Sequence, residues 1–104
     1  MTLKSKRSKA TDIPQSVKKK VWERDKGICV NCKTAYNTMP NAHFIPRSAG
    51  GLGIEQNIVT LCSECHRTFD QTTERKEIGL KIEAYLKRKY PDWEKQNLFY
   101  KKGN

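Results

Sequence analysis

The chain has 104 residues, 36% hydrophobic and 31% charged, with a formal charge of +10. That length suits one domain with a thin apolar core, no segment approaches membrane-spanning length, and no apolar run follows the basic start to make it an export signal, so a cytoplasmic, reducing setting is expected. The excess charge lies at the ends, +6 over residues 1–20 and +4 over 81–104 around a balanced middle, which suits a polyanion crossing that middle and equally suits Lys-rich ends that are simply solvated; the Cys/His frame between them tips the reading toward nucleic acid.

Residues 1–11 are Lys/Ser/Thr-rich without apolar periodicity and read as a flexible basic arm, with a single domain over 12–104. Asp12-Ile13-Pro14 reads as a helix start, a capping-type residue followed by proline in the first turn. Val17, Val21 and Trp22 recur at helical spacing, and Gly27 is the stop. This helix is expected to cover Cys29 and Cys32, with Lys18, Lys19 and Lys20 turned toward solvent or phosphate.

From Ile28 to Ile45 the signals are short and strand-like, punctuated by Asn37 and Pro40. His43-Phe44-Ile45 reads as extended, because the residue before Pro46 is biased away from helix. Ala49 to Gly53 is a glycine loop. Asn57 to Leu61 leads to a helix that begins around Cys62 to Cys65 and carries His66 and Asp70 one turn apart on one face. A longer helix spans Glu74 to Tyr90 with Ile78, Ile82, Tyr85 and Leu86 as its apolar stripe, and Pro91 ends it. Trp93, Leu98, Phe99 and Tyr100 are too apolar for a free tail and are expected to pack back. Trp22, Phe44 and Trp93 read as core or as cover for a metal site.

Cys29-Val30-Asn31-Cys32 and Cys62-Ser63-Glu64-Cys65 form two knuckles separated by 29 residues. In a small, reducing-compartment domain such pairs share a metal more often than they form disulfides or a redox motif. Four thiolates complete a closed tetrahedral shell, so a structural Zn2+ is expected. Both histidines of the chain, His43 and His66, are then left unspent, one at the end of a strand and one at the start of a helix. A zinc that clamps strand to helix places them on two sides of one cleft.

The residues Ala42-His43-Phe44-Ile45-Pro46-Arg47-Ser48, the Gly50-Gly51 loop, Asn57, and Cys62-Ser63-Glu64-Cys65-His66 resemble the HNH endonuclease family in its zinc-clamped subgroup. Thirteen residues separate His43 from Asn57 and eight separate Asn57 from His66, as in the family pattern. Residues 41–75 are also similar to small stand-alone HNH proteins of bacteriophages and prophages, and the resemblance is closest over the core 28–70.

The resemblance implies a small α+β fold, a ββα-metal unit clamped by the four-cysteine zinc and flanked by an N-terminal and a C-terminal helix. It implies metal-dependent cleavage of DNA, with double-stranded DNA as partner in a bacterial host cell. By position, His43 would be the general base, Asn57 the brace of the loop that holds it, and His66 a ligand of a catalytic divalent cation (Mg2+, Mn2+, Ni2+ or Zn2+). Family members often carry a further metal ligand just before the first histidine; here that position is Ala42, and Asp70 is the candidate replacement. Arg47, Arg67 and Arg75 are candidates for phosphate contacts, Arg47 the best placed, with Lys18, Lys19 and Lys20 along the duplex. The alternatives are a non-catalytic zinc-ribbon module that binds nucleic acid, and an adaptor within phage packaging or recombination machinery.

Overall fold

The computed structural model describes residues 5–71 and 73–101. Residues 1–4 of the expected arm and the last three residues lie outside the described residues. Ile58-Val59-Thr60-Leu61-Cys62 (β2) is aliphatic and β-branched, and all five side chains are buried, as in a strand covered on both faces. It pairs antiparallel with Thr38–His43 (β1), Thr38 opposite Cys62 and His43 opposite Ile58. The register shifts between Met39 and Ala42, where Pro40 has no N–H for the ladder. Thr60, opposite that irregularity, donates its N–H to Asp25 Oδ2 (2.8 Å) and accepts at its carbonyl from Val30 N–H (2.9 Å).

The helices are Lys6–Thr11 (α1), Gln15–Asp25 (α2), Ser63–Gln71 (α3) and Arg75–Lys89 (α4), with 3₁₀ turns at Arg47–Ala49 and Lys95–Leu98. β1, β2 and α3 follow one another as the expected ββα unit, and the whole is a small α+β fold. Both α2 and α3 pack on the two strands, and α4 packs on α3. Phe69 from α3 meets Ile78, Ile82 and Leu86 of α4 in the core, with Phe44, Val59 and Leu61. Trp93 and Leu98 are buried as expected, and the C-terminal segment runs beside the glycine loop: Leu52 N–H donates to Leu98 O and Tyr100 N–H to Gly50 O. Among the described residues, no helix is long and apolar enough to cross a membrane.

Three local expectations change. The arm reading gives way over Lys6–Thr11, which is helical: Ser5 caps it by accepting from Ser8 N–H (3.1 Å). Six residues cannot hold a helix alone, and α1 is fixed by tertiary contacts invisible to local periodicity. Asp12 does not start α2 but ends α1, donating its N–H to Ser8 O, and Pro14 is the residue before the first turn of α2. Trp22 is 43% exposed rather than core; its ring lies against Gly27, where a Cβ would meet Cζ2 at 2.7 Å.

α2 is fixed by a buried charged pair. Asp25, with 0% of its side chain exposed, accepts from the Arg24 guanidinium (Nε to Oδ1, 2.7 Å) and the Tyr85 hydroxyl as well as from Thr60. Arg24 also donates to the carbonyls of Glu55 and Ile58, 2.7 Å each. Burial opposes the charge on Arg24, but the bonds and charge of Asp25 outweigh it and raise the guanidinium pKa further. Asp25→Ala strands a buried cation and the Thr60 N–H; we expect a loss of about 3–5 kcal/mol, read as a lowered urea midpoint. An unchanged midpoint would refute this role for the pair.

Candidate functional site

The knuckles turn sharply enough for each to direct two thiols inward. Cys32 N–H points at Cys29 Sγ and Cys65 N–H at Cys62 Sγ, both at 3.4 Å, and Asn31 Nδ2 donates to Cys65 Sγ at 3.3 Å. Such donors favour thiolates. All four Sγ atoms lie within 4.8 Å of one another, and Cys32 Sγ is 3.7 Å from Cys62 Sγ. A tetrahedral shell with metal–sulfur bonds of about 2.3 Å has edges of about 3.8 Å, so the four cysteines are positioned to hold one metal ion. Burial opposes ionisation of Cys29, yet the backbone donors at Cys32, Cys62 and Asn31 bring its thiol down to about 7. Burial and the neighbouring sulfurs of Cys62 and Cys32 push Cys65 up to about 12. Crowded thiols cannot all ionise unaided, and a divalent cation is what lets them.

A cleft of about 900 Å³ is lined by Asn41 and His43 of β1, His66 and Asp70 of α3, Asp12 and Ile13, Lys18 of α2, the Pro46-Arg47-Ser48 turn, and Arg75. The structure therefore brings both histidines to one cleft. His43 Nε2 lies 2.8 Å from Thr11 O; a carbonyl only accepts, so Nε2 carries the hydrogen and Nδ1 the lone pair. Burial lowers the His43 pKa, with Arg47 and His66 adding to the effect, and the Thr11 carbonyl opposes it. On α3, His66 Nε2 lies 3.2 Å from Asp70 Oδ2. This nitrogen and oxygen pair suits a divalent cation, and among the described residues no third His, Cys, Asp or Glu joins it. Ala42 is 0% exposed within the core, so it presents nothing to the cleft.

Asn57, also 0% exposed, spans the loop between the strands. Its Oδ1 accepts from Ile45 N–H (2.8 Å), and its Nδ2 donates to the carbonyls of Ile45 (3.1 Å) and Leu52 (2.8 Å). Gly51 must be glycine, because a Cβ there would lie 1.7 Å from Ile45 O and 3.0 Å from Asn57 Nδ2.

The basic residues part company. Lys18 lines the cleft, whereas Lys20 sits 3.6 Å from Glu55, and Lys19 and Arg67 are exposed outside the cleft lining. Arg47 lines it while paired with Asp12. Arg75 lines it with its guanidinium 4.2 Å from the Phe69 ring centre and donates to Phe69 O at 3.1 Å. Sequence reasoning missed Thr11, Asp12 and Ile13 as neighbours of His43. No local pattern in the sequence points to them; in the structure Gly53 admits the segment, since a Cβ there would lie 1.8 Å from Asp12 O.

A family model described as HNH endonuclease matches residues 28–89. The chain is also similar to the type IV methyl-directed restriction enzyme EcoKMcrA of Escherichia coli (strain K12), 39% identical over 70 residues, which is 60% of this chain and 25% of that enzyme. The chain thus spans a quarter of the length of that curated relative.

Two outcomes follow from this geometry. Excess chelator, or Cys62→Ser, is expected to lower the melting temperature and the helical circular dichroism signal, because an ion held there would contribute folding free energy; identical melts with and without chelator contradict it. Asn57→Ala leaves the Ile45 N–H and two carbonyls without their partner and costs about 3 kcal/mol, measured by denaturant titration of the metal-loaded protein.

Proposed function

The chain belongs to the HNH endonuclease family, and we propose that it is a metal-dependent endonuclease hydrolysing DNA phosphodiester bonds in the cleft that holds His43 and His66. The observation that carries this reading is that cleft: the chain's two histidines share it with Asp70, Lys18, Arg47 and Arg75. A structural Zn2+ on Cys29, Cys32, Cys62 and Cys65 matches the all-thiolate donor set. Residues 12–104 then work as one nuclease domain, with α1 packed against it.

In the proposed reaction His43 is the general base. Its Nε2–H is spent on Thr11 O, which leaves Nδ1 to take the proton as a water oxygen attacks phosphorus. Burial lowers the imidazole pKa, which favours the neutral form that a base requires. The bond from phosphorus to the 3′ oxygen breaks, giving 5′-phosphate and, after proton uptake, 3′-hydroxyl ends. His66 and Asp70 would hold a divalent cation (Mg2+, Mn2+, Ni2+ or Zn2+), which when bound supplies charge stabilisation at the phosphoryl and leaving oxygens. Asn57 keeps the His43 strand and the glycine loop in fixed relation. Lys18 draws the DNA backbone to the cleft, where Arg75 meets it and Arg47 is within reach.

The relative named above is a methyl-directed restriction enzyme; for this chain we propose the cutting chemistry and double-stranded DNA as substrate. The likeness of residues 41–75 to phage and prophage HNH proteins supports a role in homing, packaging or recombination inside a bacterial host. One observation favours a second reading. Ala42 is sealed in the core, so the cation has one histidine and one carboxylate from the protein, and a binding-only relative would look the same there.

Plasmid nicking with each metal added singly separates the two. We expect His43→Ala to lose on the order of 10²–10⁴-fold in rate while its fold and DNA retardation persist; retardation without cutting by the wild type under every metal selects the binding module. The base acts only when neutral, and burial lowers its pKa, so kcat/KM falls with acid only below the pH expected of a free imidazole. A loss of rate already above that pH contradicts the assignment. Lys18→Ala reduces the slope of log affinity against log salt by about 1, whereas Lys20→Ala, already paired with Glu55, changes it less.

A further inference from the structure

We infer that Lys6–Asp12 is a positioning element of the nuclease centre, because it supplies the carbonyl that fixes the tautomer and orientation of His43. This rests on the assignment of His43 as the base. The segment precedes the stretch matched by the family model, which starts at residue 28, so the centre depends on chain outside the matched domain.

The geometry of the docking is specific. Thr11 is 3% exposed, and its carbonyl meets His43 Nε2 at 2.8 Å. Its hydroxyl turns back to donate to Arg7 O (3.0 Å) and Ser8 O (3.2 Å), which holds the last turn of α1 closed while the carbonyl points outward from it. The helix is then tied to the glycine loop from both ends. Arg7 donates to Ser48 O (2.8 Å), and Gly53 N–H donates to Ala10 O (2.9 Å). Arg47 pairs with Asp12 across the same seam. A six-residue helix has no stability of its own, so its place against His43 is set by these ties.

The consequence is chemical. Without an acceptor at Nε2, a neutral imidazole exchanges its proton between the two nitrogens and its ring is free to turn. With Thr11 O in place, the proton stays on Nε2 and the lone pair on Nδ1. The segment thereby acts through His43, contacting no reacting atom itself.

Two variants displace the segment by different routes. Gly53→Ala puts a Cβ within 1.8 Å of Asp12 O and alters no charge; Arg7→Ala removes the tie to Ser48 O from an exposed residue. Long-range proton–nitrogen NMR of the imidazoles reads the tautomer without any turnover, and with two histidines in the chain the His43→Ala spectrum assigns the signals. Wild type is expected to show His43 as the Nε2–H tautomer. Both variants should show mixed tautomers and a kcat lowered on the order of 10²-fold, with KM for a DNA duplex within twofold for Gly53→Ala. If Gly53→Ala fails to fold, Arg7→Ala decides alone. A wild-type tautomer in the folded variants, or a mixed tautomer with unchanged kcat, overturns the proposal. A His43→Ala protein that cuts at the wild-type rate instead overturns the base assignment beneath it, and the tautomer comparison then stands as a structural fact only.

Discussion

The interaction on which the rest depends is the set of three hydrogen bonds that the Asn57 amide makes with Ile45 and Leu52, one accepted and two donated. A sealed amide is expensive unless every part of it is partnered, and here the partners are backbone groups on both sides of the glycine loop. The loop can therefore take one shape. That shape forces Gly51 against Ile45, presents Gly50 and Leu52 to the C-terminal segment, and presents Gly53 to the end of α1. Chain ends that are remote in sequence thus meet on one loop, and His43 lies just upstream of it. A substitution at Asn57 would be felt at the cleft even though its side chain never reaches it.

The cysteine cluster answers a different need. The core is thin, and β1 carries Pro40 and a register shift that weakens its pairing with β2. A metal ion held by Cys29, Cys32, Cys62 and Cys65 would tie the chain before β1 to the junction of β2 and α3. The strand that ends in His43 and the helix that starts beside His66 would consequently be held at the same junction. The four sulfurs form one closed group, and neither histidine belongs to it. Holding the fold and serving the cleft would then fall to separate residues.

Much of this was legible because it is local or follows from side-chain chemistry. The CxxC pairs, the stripe Ile78, Ile82, Leu86, and the one-turn spacing of His66 and Asp70 are short-range patterns that need no knowledge of tertiary packing. Phe44 and Trp93 were legible as core for the same reason. What escaped were features decided at long range. α1 lacks a periodic apolar face, and what fixes it is the glycine loop some forty residues on. Asp12 looked like a cap for α2 because capping chemistry is local, whereas its carboxylate is paired with Arg47. Three adjacent lysines looked equivalent, yet a helix sends neighbours about 100° apart, so Lys18 reaches the cleft and Lys20 reaches Glu55.

The electrostatics of the cleft follow from that division. Arg75 is fixed against Phe69 and by its bond to Phe69 O, so its charge stands at the cleft wall with little side-chain entropy left to lose. Arg47 is held by Asp12, and a phosphate arriving there would compete with a carboxylate rather than with water alone. Lys18 has no ion-pair partner among the described residues, so its charge is the most readily given to a polyanion. A proposed DNA backbone would then be steered by Lys18 and met by Arg75. Arg47 would engage only where the phosphate outcompetes Asp12. Since Asp12 directly follows the Thr11 carbonyl that holds His43, any such exchange at Arg47 would act on the seam that orients the proposed base. Binding and the orientation of His43 would in that way share one set of contacts, and a phosphate that drew Arg47 away from Asp12 would loosen a tie that holds α1 against His43.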